Sequence, residues 1–389
     1  MRASENTSST EIELQLDVLT GIHIGSGLEI DPLSYLVRQK SDASESNFNP
    51  VLCRYDLQDL IPLLTEAGRD ALIKIIDRND LKTLRREVVK AVCSVEKNGR
   101  PIWKYCCPTT AAVSEAFDNH IDDTNNQLLV NTMTRAGSAL LIPCSSAKGA
   151  LRTAVLQARV DEGRYREVPS HLGKRPDEAK LLSYKGAQAD PLRALRISDA
   201  VVAGDDSQLV CRALLWKRNG ASGSPQLISE VARGVLLNGD AKAKLQIRLD
   251  NRAFDAARQA KLNDWAAPGF QLSSITELLR EVHRFYSDLW MQEYNHFYLG
   301  ADEPELKRAG DELNDLVSKL DSETEFLVRL GRFSQKESVT LRGAQKPLNF
   351  GRSRTLLEYQ GRAFPAGWAV LRLRVPEKRK RVVVRTKRT

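Results

Sequence analysis

The sequence of 389 residues predicts an α+β protein with antiparallel sheets. Apolar and polar residues alternate along residues 11–20 and again along 242–250, the pattern of strands with one buried face. Two long segments, 57–95 and 274–298, instead carry apolar residues at helical spacing. Because strands and helices alternate irregularly, with long insertions between them, the pattern favours antiparallel sheets over a regular parallel α/β fold.

The other elements follow in chain order. A glycine-rich turn after the first strand leads into short strands, and later strands flank a helix that begins near Ser145 or Ser146, both natural N-cap residues. We assign the aromatic residues of the helix at 274–298 mainly to the core, because they recur at helical spacing. The further predicted strands cover residues 34–38, 51–55, 128–133, 139–142, 193–202, 209–217, 326–330 and 368–375, and a charged helix covers 304–320.

Length and composition indicate a globular, soluble protein. The chain is two to three times as long as a typical domain, so two modules are expected. Apolar residues make up 42% and charged residues 28%, which excludes a fibrous or wholly disordered chain. No apolar stretch is long enough for a membrane helix, and residues 1–10 lack the apolar core of a secretion signal. We therefore expect a cytoplasmic protein without a membrane partner.

Neither a metal nor a cofactor is expected. None of the six cysteines forms a C-x-x-C pair, so most are expected to be reduced, buried side chains. Gly25-Ser26-Gly27 lacks the third glycine and the following helix of a dinucleotide-binding loop, and no P-loop occurs. These observations disfavour an ATPase or a dehydrogenase.

Positive charge is concentrated near the carboxyl end. Residues 329–389 contain 17 Lys and Arg against three acidic residues, a net charge of +14, while the rest of the chain carries −6. A basic end on an acidic body indicates a local surface for a polyanion. Within residues 332–362 the basic side chains are interleaved with glycine and aromatic residues, which suits contacts to phosphates and bases. These candidates are Arg332, Lys336, Arg342, Arg352, Arg354 and Arg362.

A second candidate site lies at the start of the predicted helix after Pro143. Lys148 and Arg152 are four residues apart and so share a helix face, close to the free backbone N–H groups that favour an anion. With the hydroxyls of Ser145 and Ser146, this start would form a seat for a backbone phosphate. The alternative is an ordinary capped helix with two exposed cations, and spacing alone leaves both open.

His23 is the histidine placed most like a catalyst, at a strand end beside flexible glycines. General acid–base catalysis needs a partner of suitable pKa within hydrogen-bond reach, and no second histidine or tyrosine is evident nearby. We favour a structural or RNA-contacting histidine over a catalytic one.

Four segments carry a family resemblance. Residues 141–152, LIPCSSAKGALR, are similar to the I-P-G-S-S-x-K-G-x-x-R signature of the RAMP superfamily of CRISPR proteins. Residues 19–27 resemble the opening strand and glycine turn of that family, and 196–200 resemble its V-S-D-A strand. The ending at 365–373 resembles one branch, the type III-A (Csm) effector subunit that caps the 3′ end of the guide RNA. Cys144 departs from the family's glycine, and residues 330–336 are poorer in glycine than the family segment.

The resemblance implies two ferredoxin-like (RRM-like) modules with helical insertions. We place the first module at 11–250, with an insertion at about 57–95, and a smaller second module at 251–376. A disordered N-terminus at 1–10 and a basic tail at 377–389 would flank them. The implied partners are the guide RNA (crRNA) and other RAMP backbone subunits of the Csm complex, and host nucleases are left open as partners. Target cleavage is assigned by the family to other subunits.

The sequence therefore favours a non-catalytic RNA-binding and assembly subunit that supports crRNA maturation in antiviral defence. A RAMP-type endoribonuclease with His23 as general base is one alternative, and a protein–protein adaptor without RNA contact is the other. The residues expected to contact RNA are His23, Gly25, Gly27, Ser145, Ser146, Lys148, Arg152, Arg332, Lys336, Arg342, Arg352, Arg354 and Arg362.

Overall fold

The structure is a computed structural model. It describes residues 9–40, 49–99, 102–123, 128–162, 178–182, 184, 190–250, 274–341 and 351–373. The predicted N-terminal disorder at 1–10 and the basic tail at 377–389 lie outside these residues, except that Ser9 and Thr10 belong to the first strand.

Strands and helices mix along the described chain. The strands are β1 Ser9–Val18, β2 Gly21–Ile22, β3 Gly25–Ile30, β4 Tyr35–Lys40, β5 Asn49–Arg54, β6 Tyr105–Pro108, β7 Val130–Met133, β8 Arg135–Ala136, β9 Ala139–Ile142, β10 Leu195–Ile197, β11 Ala200–Ala203, β12 Gln208–Lys217, β13 Ser224–Arg233, β14 Lys242–Asp250, β15 Glu325–Arg329, β16 Ser353–Tyr359, β17 Arg362–Phe364 and β18 Trp368–Leu373. The α-helices are α1 Leu57–Leu60, α2 Glu66–Asp77, α3 Leu81–Lys97, α4 Ala111–His120, α5 Cys144–Asp161, α6 Glu178–Leu181, α7 Ile275–Glu293 and α8 Pro304–Val317.

The largest sheet has eight strands, seven of them in the order β15-β18-β1-β14-β11-β9-β8, with β10 also paired to β14. β1 lies between β14 and β18, antiparallel to both. The register places Leu14 opposite Leu245, and both side chains are buried with residues of α5 and α7 in one core cluster. Each such leucine contributes roughly 1.5–3 kcal/mol by leaving water. The alternation seen at 11–20 and 242–250 is thus the buried face of this sheet.

A second sheet runs β17-β16-β12-β13-β7-β3, with β2 paired to β13. Its strands pair antiparallel except for the short parallel contact between β7 and β13. A third sheet, β4-β5-β6, packs with α3 and α4 around a separate core cluster. The predicted α+β class with antiparallel sheets is confirmed.

Strands from both sides of residue 250 share the two larger sheets. β1 pairs with β18, and β12 pairs with β16. The two predicted modules are therefore joined through common sheets, and their boundaries stay a prediction. Helices α1, α2 and α3 cover most of the segment expected as a helical insertion at 57–95.

The aromatic helix is core, as the sequence predicts. α7 continues into a π-helical turn, Tyr294–Tyr298, which is continuous with its last residue. Phe285, Tyr286, Trp290 and Phe297 are all buried, and the indole of Trp290 lies 5.4 Å from that of Trp368 between ring centroids. This packing ties the helix to β18 of the largest sheet.

One expectation needs correction, and one disulfide was not anticipated. The single strand predicted at 193–202 is broken into β10 and β11, because Ser198 and Asp199 turn away to bind other segments. Cys53 and Cys106 are joined by a disulfide, since the register of β5 and β6 places them opposite each other with a Cα–Cα distance of 4.1 Å. The other cysteines, at 93, 107, 144 and 211, are free.

Candidate nucleic-acid interface

The glycine turn protrudes from the second sheet. β3 pairs with β7 at Gly25 and again at Glu29, and the register shifts between these points, so residues 26–28 form an exposed bulge. Gly27 has φ +84°, and a Cβ there would meet no described atom within 4 Å. The Ser26 hydroxyl bonds that of Thr132 at 2.6 Å and fixes the bulge to β7. The turn thus presents backbone to solvent in a defined shape.

Arg332 is brought to this turn by its own backbone. Its N–H donates to the His23 carbonyl at 2.8 Å, and its guanidinium donates to the Asn131 side chain at 2.8 Å. The preceding Gly331 has φ +87°, and a Cβ there would overlap the His23 carbonyl oxygen. Lys336 follows in a short 3₁₀ turn and is exposed. The structure therefore brings Arg332 to the turn that carries Gly25 and Gly27, although more than 300 positions separate Arg332 from these glycines.

His23 lies beneath the turn rather than on the surface. Its side chain is 1% exposed, and Nδ1–H donates to the Glu230 carbonyl at 2.7 Å, so Nε2 is the unprotonated nitrogen. Burial lowers the pKa of His23 below its usual value, which keeps the ring neutral near pH 7. The expectation of an RNA contact through this side chain is wrong for the described conformation, because the ring is enclosed.

The start of α5 differs from the prediction. The N-cap is Pro143 and no side chain caps the helix, so neither Ser145 nor Ser146 holds that position. Instead the Cys144 N–H donates to the carboxylate of Asp199 at 2.6 Å. This bond lowers the pKa of Asp199. One of the amides expected to hold a phosphate is therefore occupied by a carboxylate of the chain itself.

Lys148 and Arg152 are also tied to the protein. The Lys148 ammonium donates to the Leu195 carbonyl at 2.7 Å, and burial lowers its pKa. The Arg152 guanidinium binds the carboxylates of Glu178 and Asp190, each at 2.8 Å. The signature's two cations thus brace α5 against β10 and the segments beside it, so the alternative of two exposed cations is wrong as well. Ser145 is exposed and Ser146 half-buried.

The basic carboxyl segment does not form one continuous surface. Arg354 is 1% exposed and lies between the carboxylates of Glu293 and Glu337, so it cannot meet a phosphate. Arg362 is paired with Glu305 and Glu312. Arg352 is exposed, and Arg342 lies outside the described residues. Arg354 shares the buried face of β16 with Leu356, whereas Arg352 precedes the strand.

One exposed row of cations was not anticipated. Lys242, Lys244 and Arg248 lie on the open face of β14, and none forms an ion pair with a residue that the structure describes. The signal was present in the sequence, because the same alternation that predicted the strand places these three positions on its polar face.

Among the described residues, no group of three or more His, Cys, Asp or Glu side chains could hold a metal ion. Over the same residues, none of the helices combines the length and the apolar character needed to cross a membrane.

No family model matches the chain, and no curated protein matches it in sequence. Its structure is similar to a chain of the cryo-EM structure of a Csm-crRNA-target RNA ternary complex in a type III-A CRISPR-Cas system, with a TM-score of 0.62 and 17% identity over 92% of this chain and 100% of that chain. It is also similar to the crystal structure of T. onnurineus Csm5, with a TM-score of 0.59 and 16% identity over 92% and 99% of the two chains. The predicted resemblance to type III-A (Csm) subunits is confirmed at the level of the fold.

Proposed function

We propose that this protein is a non-catalytic RNA-binding and assembly subunit of a type III-A CRISPR (Csm) effector complex. It binds the 3′ region of the guide RNA (crRNA), caps the backbone of RAMP subunits and supports crRNA maturation in antiviral defence. The observation that carries the proposal is the fold shared with Csm subunits over nearly the whole chain. The RAMP-like motifs lie at the glycine turn and at α5 within that fold.

The exposed bulge at 26–28, the adjoining Gly25 and Arg332 supply a surface suited to single-stranded RNA. An open glycine backbone allows close approach of a phosphodiester chain, and Arg332 is a cation held by Asn131 without a carboxylate partner among the described residues. Lys336, Arg352 and the exposed Ser145 are the further predicted positions that remain on the surface. These contacts position the RNA without reading its sequence.

One structural feature argues against the endoribonuclease alternative. His23 is enclosed and bonded to the Glu230 carbonyl, which leaves it poorly placed as a general base. The adaptor without RNA contact is the other alternative, and the presence of co-purified RNA distinguishes the proposal from it. No observation on this molecule bears on host nucleases, and they are not part of the proposal.

The test is purification of the tagged protein from its native cell, with sequencing of co-purified RNA and mass spectrometry of its partners. Repeat–spacer guides together with RAMP subunits are expected. A protein free of RNA would refute the RNA-binding part, and partners without any RAMP subunit would refute the assembly part.

Salt dependence tests the contacts in vitro. If Arg332, Lys336 and Arg352 each neutralise one phosphate, the logarithm of the association constant should fall with the logarithm of salt with a slope of about −2. A slope near zero would show that these residues do not bind phosphates electrostatically. Cleavage of repeat RNA by the pure protein, lost in His23→Ala, would favour the endoribonuclease instead.

A further inference from the structure

A groove of about 480 Å³ opens beside the glycine bulge. It lies where β3 and β7 meet the first part of β13 and the end of α4, and its lining includes Glu29, Leu128, Arg212, Gln226 and Leu227. This volume lies within the range of small-molecule sites, and it is ample for one ring system with its sugar outside. The groove is separate from the start of α5.

The free carboxylate of Glu29 makes the groove unfavourable for a phosphate. It is exposed and makes no hydrogen bond or ion pair with a described residue. Arg212 is held by Glu358 through two hydrogen bonds of 2.7 and 3.0 Å, so its charge is compensated. The Gln226 amide nitrogen is directed to Ser224, which leaves the amide oxygen as an acceptor. Glu29 and Gln226 thus offer hydrogen-bond acceptors, and the exposed imidazole of His120 also lines the groove at the end of α4.

The rest of the lining is largely apolar, with Leu128, Leu227 and Ile228 among its side chains. Apolar side chains suit the flat faces of a heterocycle, while a carboxylate at the edge accepts hydrogen bonds from N–H groups. The complementary ligand is an uncharged ring with apolar faces and amine donors on its edge.

The groove also touches the proposed RNA surface. Glu29 follows the bulge in β3 and pairs with Asn131 of β7, the same residue that holds the Arg332 guanidinium. A nucleotide whose phosphate lies at Arg332 would therefore have the groove beside it. We propose that the groove binds a nucleobase that carries an exocyclic amine, with Glu29 accepting from that amine. The inference rests on the proposed RNA binding and adds a base preference to it.

Fluorescence anisotropy with labelled cytidine and uridine dodecamers at fixed salt tests the proposal. Cytosine has an exocyclic amine at C4 where uracil has a carbonyl oxygen, and N3 is an acceptor in cytosine but an N–H donor in uracil. The two rings have nearly the same size and shape. The cytidine oligomer should bind about tenfold more tightly than the uridine oligomer, the discrimination typical of one good base contact. In Glu29→Ala the ratio should fall to about one, with the salt slope for uridine unchanged.

Glu66→Ala is the matched control, because Glu66 is an exposed carboxylate on α2 outside the groove. This variant should keep the tenfold ratio. Equal binding of both oligomers by the wild-type protein, or a ratio that survives in Glu29→Ala, would overturn the base site and leave RNA binding intact. Binding of neither oligomer would instead refute the proposed function and the base site with it.

Discussion

The glycine turn and the start of α5 carry the two clearest motifs of the chain, and they treat charge in opposite ways. At the turn the backbone is exposed, and Arg332 reaches it from the far end of the sequence without a described carboxylate partner. At α5 the cations Lys148 and Arg152 bind a carbonyl and two carboxylates of the protein. A basic residue in a motif can thus serve the fold, and only its partners distinguish the two roles.

Arg354 and Arg352 show the same contrast between a buried, ion-paired cation and an exposed one. We expect the largest change in the free energy of unfolding here. Arg354→Ala should lower the free energy of unfolding by about 4 kcal/mol, because it leaves the buried Glu293 and Glu337 without one of their cations. Urea denaturation measures this loss. Arg352→Ala is the matched control, since Arg352 is exposed and its removal should change stability by less than about 0.5 kcal/mol. Equal losses would show that Arg354 is not enclosed.

Alanine substitutions at Gly331 and Gly27 test how closely the backbone packs at the turn. Gly331→Ala should cost about 3 kcal/mol, because it combines a left-handed backbone at φ +87° with a Cβ that overlaps the His23 carbonyl oxygen. Gly27→Ala has a similar φ of +84° but open space, and should cost about 1 kcal/mol. Thermal unfolding of both variants measures the difference. A larger loss in Gly27→Ala would contradict the close approach at Gly331.

The third prediction compares one cation from each region, Arg152 in α5 and Arg332 at the glycine turn. Arg152→Ala should lower stability by about 2 kcal/mol and leave RNA affinity unchanged, since Glu178 and Asp190 lose their shared partner. Arg332→Ala should change stability by less than about 1 kcal/mol but weaken RNA binding and reduce the salt slope by about 0.7. Denaturation and anisotropy on both variants separate the roles. Weaker RNA binding in a folded Arg152→Ala protein would restore α5 as a phosphate site.

The smallest effect concerns His23 under the turn. Burial lowers its pKa in the folded state, so the unfolded chain binds a proton that the folded protein does not. Stability should therefore be full above about pH 6.5 and fall as the pH drops below that value, by up to about 1.4 kcal/mol per pH unit for this group. His283 is half-buried, its pKa is lowered in the same direction by desolvation, and it adds to the slope. Unfolding measured from pH 7.5 to 5.5 should show a shallower slope in His23→Gln, and an identical slope would contradict an enclosed neutral ring.

The sequence predicts a feature of this molecule when the feature depends on residues that are close together in the chain. The alternation of β1 and β14 and the helical aromatic spacing of α7 predict buried faces correctly, since both depend on the period of one element. Arg354 could not be separated from Arg352, because the sequence did not indicate strand β16. Asp199 could not be predicted as the partner of Cys144, since 55 positions separate them. The groove at Glu29 likewise exists only after four strands and a helix have come together.

The central position of β1 has a consequence for synthesis of the chain. Its two neighbours in the sheet are β14 and β18, and Leu14 pairs with Leu245 on one side and Leu373 on the other. During translation, β1 emerges first and keeps both hydrogen-bonding edges unpaired until β14 follows, and one edge stays open until residue 373 has left the ribosome. Contacts so distant in sequence close slowly. The nascent protein therefore exposes an unpaired strand edge for most of its synthesis, and such an edge is a template for aggregation unless it is protected.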